Sequence, residues 1–195
     1  SALELIEHAT HVADGDHAQV VVETTVLDIT RGQPAIDHVR KALRAGAHVI
    51  TANKGPVAFA YRELEEFATA LGRSFLFEGA VMDGVPIFNL VRETLPAVSI
   101  LGFRGVINST TNYILTEMER GRTFSEALAE MQAAGIAERD ASLDIDGWDA
   151  AAKTSALLNV LMRADITPRA GIQMSGFGKR IQPALGVNDP PYATA

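Results

Sequence analysis

Asp149 and Lys153 stand four residues apart in "DGWDAAAK" (146–153), a carboxylate and an amine at the start of an otherwise apolar stretch. On a helix that spacing puts both on one face. The same face continues through Leu157, Val160 and Ala164, so it should point inward. A lysine on an inward face needs a carboxylate partner or loses its charge, and Asp149 is one turn away. Such a pair can hold an amine ready to exchange a proton. The plainer reading makes Asp146 the helix cap and Asp149 an acid in a first turn, where the helix dipole favours it. A second lysine, Lys54, lies in "TANKG" (51–55), with Thr51 and Asn53 as further donors and Gly55 allowing a close backbone approach. Read alone, that stretch is a polar turn with a solvated lysine. The chain, however, has only four lysines among its 17 basic residues, and two of them fall in these polar clusters.

Two other stretches concentrate polar groups. "NSTT" (108–111) sits where an apolar run gives way to a helical pattern, and four hydrogen-bonding side chains exceed what one helix cap needs. Exposed backbone N–H groups at such a junction can also hold a carboxylate. "AERDASLDIDGWD" (137–149) carries Glu138, Asp140, Asp144, Asp146 and Asp149. A solvated acidic loop is the common explanation. An EF-hand Ca²⁺ loop is excluded by spacing and by the absence of its closing Glu.

The elements that must position these groups alternate. Apolar spacing predicts a short helix over 2–9 with Leu3, Ile6 and Leu5 inward. A valine-rich strand buried on both faces follows at 18–25, then a helix over 34–46 opened by Pro34 and closed by Gly46. A strand at 48–52, a helix over 60–72 and a strand at 74–79 complete a β-α-β-α-β order with short links, which implies right-handed crossovers and a parallel sheet. "TANKG" then lies at the carboxyl end of the second strand and "ETT" (23–25) at that of the first, the edge where open parallel sheets bind ligands. Beyond residue 79 the pattern predicts a helix over 85–95, a strand at 99–107, helices over 111–121 and 124–135, and a last helix over 148–164, followed by a Gly/Pro-rich tail.

Composition narrows the classes. With 195 residues, 47% hydrophobic and 21% charged, the chain can bury a real core in one domain or two small ones. A net charge of −7 argues against nucleic-acid and anionic membrane surfaces. There is no cysteine, which removes disulfides, thiolate metal sites and a Cys nucleophile. No apolar run approaches the roughly 20 residues of a membrane span, and "SALELIEHAT" is no signal peptide, so a cytoplasmic location is expected.

Taken together and in order, "TANKGPVA", "FEGAVMDGVPIFNLVRE", "GVINSTTNYILTEME" and "EALAEMQAAGIAERDASLDIDGWDAAAK" resemble homoserine dehydrogenase, over about residues 20–172. The resemblance implies an α/β chain: an incomplete Rossmann-type parallel sheet (1–77), an α/β substrate and dimerisation domain (78–172), and a tail (173–195). It implies interconversion of L-homoserine and L-aspartate 4-semialdehyde with NAD(P), and a homodimer or higher oligomer. It makes Lys153 and Lys54 the proton-transfer candidates, with Asp149 supporting Lys153. Glu138 and Asp144 would hold the amino acid's ammonium or hydroxyl, with Thr110 close by. Thr24, Thr25, Ala52 and Lys54 would border the nicotinamide. Glu78 and the backbone carbonyls of Val81, Asp83 and Val85 would form a site for a monovalent cation such as sodium.

The sequence departs from that pattern in lacking the G-x-G-x-x-G turn that holds a pyrophosphate on a helix N-terminus, and in placing Ser109 where many relatives have glycine. The expectation is therefore a fragment or a shortened form. Its alternatives are a cofactor-less amino-acid-binding or regulatory module and a structural dimerisation domain.

Overall fold

The computed structural model describes residues 1–11, 18–137, 141–169, 172–173 and 182–183. Its first half is a three-stranded parallel sheet in the order β1-β2-β3, made of Val20–Glu23 (β1), His48–Thr51 (β2) and Phe75–Leu76 (β3). Val21 lies opposite Val49, and Val49 opposite Phe75. The connecting helices are Ala35–Arg44 (α2) and Lys54–Ala70 (α3), and a first helix, Ala2–His11 (α1), packs on α2.

Alternation of side chains sorts the sheet into two unlike faces. Val49, Thr51, Glu23 and Phe75 are buried with Val39, Leu43, Val57 and Leu64 of α2 and α3. Val20, Val22, Ile50 and Leu76 point the other way and stay exposed. The expectation that the 18–25 strand is buried on both faces is therefore wrong. Its valines read as a central strand, yet β1 is a four-residue edge strand with a covered and an open face. Leu5 is likewise exposed, while Ile6 packs on the core.

The second half is helical among the described residues up to 169. It comprises Ile87–Thr94 (α4), Ser109–Glu119 (α5), Phe124–Ala133 (α6), Ser142–Ile145 (α7) and Trp148–Met162 (α8). Two short strands, Ile172–Gln173 (β4) and Gln182–Pro183 (β5), pair antiparallel. The rest of the expected 173–195 tail lies outside the described residues. The strand expected at 99–107 does not form, and residues 101–106 are exposed without regular structure. An apolar, β-branched run makes a strand only where a neighbour accepts the backbone hydrogen bonds.

Helix α3 begins six residues earlier than its apolar spacing predicts. Asn53 caps it, accepting the Gly55 N–H at 2.8 Å, so Lys54 is the first helical residue rather than part of a loop. Gly55 is required there: a Cβ would meet the Gly32 Cα at 3.0 Å and the Gly32 carbonyl oxygen at 3.1 Å. Helix α8 starts at Gly147, whose φ of +80° suits glycine, so Asp146 is not its cap. The α3–α8 contact is the most extensive between any two elements. Leu157 is buried in it, and Asn159 donates to the Val57 carbonyl at 3.2 Å and the Ile166 carbonyl at 2.9 Å.

Because α8 joins the two halves through this packing, Leu157→Ala should lower stability by about 2–5 kcal/mol. Urea unfolding will show the loss as a shifted midpoint with an unchanged slope. A drop below about 1 kcal/mol would mean that α8 is not seated as described.

Candidate active site

The site is assembled at the first turns of three helices. Lys54 opens α3, Asn108 caps α5, and Asp149 lies in the first turn of α8, with Lys153 one turn further on. Asp149 Oδ2 receives the Lys153 ammonium at 2.9 Å, and Asp149 Oδ1 faces the Lys54 ammonium at 3.3 Å. Lys153 Nζ also donates to the Ile107 carbonyl at 2.8 Å. Asn108 Nδ2 donates to Asp144 Oδ1 at 2.7 Å and to Asp149 Oδ2 at 3.1 Å. Thr110, on the next residue pair of α5, is buried. The side chains of Lys54, Lys153 and Asp149 are 23%, 17% and 15% exposed, low enough for the charges to act on one another with little screening.

Burial pushes the Asp149 carboxyl up. The Lys54 charge, the Lys153 hydrogen bond and charge, and the Asn108 N–H together outweigh it, so the group titrates below its ordinary value of 3.8. Asp149 is therefore an anion at neutral pH that serves two amines. The inward face that the sequence implied for Lys153 is correct, since Leu157 below it is buried.

A second, closed set of hydrogen bonds fixes the sheet edge beside this cluster. Glu23 ends β1 on the buried face, 3% exposed. Its Oε2 accepts the Thr51 hydroxyl at 2.7 Å, and its Oε1 accepts the Thr25 N–H at 2.8 Å and the Thr25 hydroxyl. Thr51 Oγ1 in turn accepts the Asn53 N–H at 3.0 Å, and Asn53 Nδ2 donates to the Thr25 carbonyl at 2.8 Å. The ring ties the ends of β1 and β2 together and fixes the residue before Lys54. Sequence reasoning passed over Glu23. The signal was its two-residue spacing from Val21, which puts it on the covered face.

Above this edge lies a cavity of about 350 Å³. Val22, Ile50, Ala52, Leu76 and Phe77 make it largely apolar, and Thr24, Glu78, Asn89 and Arg92 are its polar lining. Thr25 is turned instead toward Glu23. The two oxygens of Glu78 accept the Phe88 N–H at 2.8 Å and the Asn89 N–H at 3.0 Å, so the carboxylate caps α4. Val81 is buried, whereas Asp83 and Val85 are exposed, and the Val85 carbonyl accepts the Ile87 N–H at 2.8 Å. Glu138 lies outside the described residues.

Comparison with known proteins agrees with a dinucleotide-binding part followed by a second domain. A family described as "Homoserine dehydrogenase, NAD binding domain" matches residues 3–78, and one described as "Homoserine dehydrogenase" matches residues 86–184. These define the class as two-part, NAD-binding dehydrogenases. The chain belongs to the homoserine dehydrogenase family. It is 43% identical over 169 residues to a homoserine dehydrogenase of Methanocaldococcus jannaschii, covering 86% of this chain and 50% of that protein. It is 41% identical over 150 residues to an NAD(+)-dependent homoserine dehydrogenase of Pseudomonas canavaninivorans, covering 77% and 43%. Among solved structures, a homoserine dehydrogenase from Thermoplasma acidophilum superimposes with a TM-score of 0.72 at 28% identity, covering 87% of this chain and 53% of that one. A hyperthermophilic archaeal homoserine dehydrogenase in complex with NADPH gives a TM-score of 0.69 at 29% identity, covering 97% and 61%. The chain spans about half the length of the curated relatives it matches.

The depressed Asp149 pKa fixes a sign for stability against pH. A carboxyl whose folded pKa lies below its unfolded value stabilises the fold above the unfolded pKa, and that contribution is lost as pH falls through the folded pKa. Asp149→Asn should therefore cost about 1–3 kcal/mol at pH 7, where it leaves two amines without their counter-charge. The gap from the unsubstituted chain should close as pH drops below the ordinary aspartate value. Denaturant unfolding between pH 7 and pH 2.5 measures it, and a pH-independent gap would contradict the ionic role.

Proposed function

We propose that this chain forms the substrate-handling part, with an incomplete dinucleotide part, of a cytoplasmic oxidoreductase that interconverts L-homoserine and L-aspartate 4-semialdehyde with NAD(P) in threonine and methionine biosynthesis. The observation that carries this reading is the sharing of one carboxylate, Asp149, by two amines from separate elements, Lys54 and Lys153, at the sheet edge. We divide the chain at residues 77/78, with the substrate domain running to about 172.

The bound nicotinamide supplies the hydride donor or acceptor. The apolar cavity at the carboxyl edge, lined in part by Thr24 and Ala52, suits a flat heterocycle. Thr25 and Lys54, next to Thr24 and two residues beyond Ala52 in the chain, complete the set assigned to the nicotinamide. Lys153 has three N–H donors, of which Asp149 and the Ile107 carbonyl take two. The third is left for the substrate oxygen. During oxidation, the neutral Lys153 amine takes the proton of the homoserine hydroxyl at Nζ. In reduction, the ammonium returns it to the aldehyde oxygen. Lys54 approaches the same oxygen from the cofactor side. Glu138 and Asp144 are assigned to the substrate's ammonium or hydroxyl, with Thr110 as a further contact. A monovalent cation such as sodium, held by Glu78 and the carbonyls of Val81, Asp83 and Val85, belongs to the same reading. The two Glu78 oxygens keep lone pairs beyond those used by the α4 amides.

In a fusion of this chain to the cofactor-binding segments of a full-length relative, Lys153→Ala should lower kcat by about a hundredfold or more with a smaller change in KM. Lys153→Arg should not restore turnover, because a guanidinium keeps its proton near neutral pH. Near-normal turnover in Lys153→Ala would pass the proton-transfer role to Lys54.

Self-association is the second part of the proposal. Val98, Leu101, Phe103 and Val106 expose apolar side chains along a stretch that forms no strand, and the β1 face is open as well. Surfaces of this kind favour pairing between copies. Sedimentation equilibrium should show a homodimer or larger at micromolar concentration. A monomer at high micromolar concentration would overturn this part.

A further inference from the structure

Building on that reading of the site, we infer that Asn108 is a positioning residue that orients both candidate acids, Asp144 and Asp149, and through Asp149 aims the Lys153 amine. Asn108 is 7% exposed and in extended conformation at the N-cap of α5. Its Oδ1 accepts the Thr111 N–H at 2.8 Å and the Thr111 hydroxyl at 2.9 Å. The Thr111 backbone N–H can only donate, so the amide has only one sensible orientation, with Oδ1 toward that N–H and Nδ2 facing away. The two Nδ2 hydrogens then meet Asp144 Oδ1 and Asp149 Oδ2. Neither carboxylate could face the amide oxygen.

A helix cap needs only an acceptor, and serine, threonine or aspartate would serve as well. What asparagine adds is the NH₂ group. It lies between two carboxylates, from α7 and α8, that would otherwise face each other across the same space. Lys153 is fixed by the same stretch of chain, since its second acceptor is the carbonyl of Ile107, the residue before Asn108. The amine, its counter-ion and the second acid are therefore all referred to the 107–108 backbone. Moving Asn108 would redirect the free N–H of Lys153 and turn the Asp144 carboxylate, while Lys54 would keep its anchor in the Glu23–Thr51–Asn53 ring.

Two substitutions keep the cap and remove the bridge. Asn108→Asp keeps an acceptor for the Thr111 N–H but replaces the donor with a third carboxylate. Asn108→Ser keeps the acceptor, adds no charge and cannot reach both acids. Both can be studied in this chain without catalysis, by NMR with ¹³C at lysine Cε and aspartate Cγ. With four lysines, each signal can be followed separately. We expect the Asp149 carboxyl to titrate at higher pH in both variants, because each removes an N–H that favours the anion. L-homoserine affinity, measured by calorimetry, should fall about tenfold or more in both variants, with thermal midpoints close to that of the unsubstituted chain.

An unchanged Asp149 titration, with any loss confined to the thermal midpoint, would reduce Asn108 to a helix cap and overturn the inference. Should Asn108→Asp fail to fold, the Asn108→Ser titration of Asp149 decides alone. If the titrations shift as expected but the unsubstituted chain binds no L-homoserine, the positioning role stands and the substrate assignment falls.

Discussion

One carboxylate holds the two halves of the site together. Asp149 takes a lysine from the sheet edge on one oxygen and a lysine from its own helix on the other. Without it, two ammonium groups would face each other in a partly buried space, where like charges repel strongly and desolvation favours neutral amines. With it, both amines are held in fixed places. The packing of α3 on α8 exists at the site end to bring these charges within reach. Its apolar body, with Leu157 and the Asn159 contacts, supplies the rigidity that the ionic cluster cannot supply by itself.

The polar networks on either side of Asp149 differ in kind. The Glu23–Thr51–Asn53–Thr25 ring is closed, with all but Thr25 buried, and every link pairs a donor with an acceptor, so it sets the backbone from which Lys54 springs. The Asn108 set includes the half-buried Asp144 and, among the described residues, leaves lone pairs on Asp144 and a donor on Lys153 unused. A closed network specifies structure. An open one leaves valences for something else to satisfy, and that is the physical sense in which the second set looks like a site.

The uncovered face of the sheet is the other consequence of this architecture. Parallel sheets are ordinarily covered on both faces. Here Val20, Val22, Ile50 and Leu76 are exposed and run into the cavity at the carboxyl edge.

The sequence by itself determined the parallel β-α-β-α-β order, the placing of Lys54 and the two threonines at one sheet edge, and the i, i+4 pairing of Asp149 with an inward-facing Lys153. Each is a local consequence of periodicity or spacing. Tertiary structure decided the rest. Nothing near residue 54 in the chain says that its amine will meet an aspartate 95 positions away, because that contact depends on how α8 lies across α3. The burial of Glu23 was readable in principle from strand alternation, but its ring needed the registry of β1 with β2. Asn108 looked like a cap, which it is, and its second pair of contacts depended on where α7 and α8 fall. The 99–107 stretch shows the limit from the other side: an apolar run marks what a segment would do beside a neighbour, and only the folded chain supplies or withholds one.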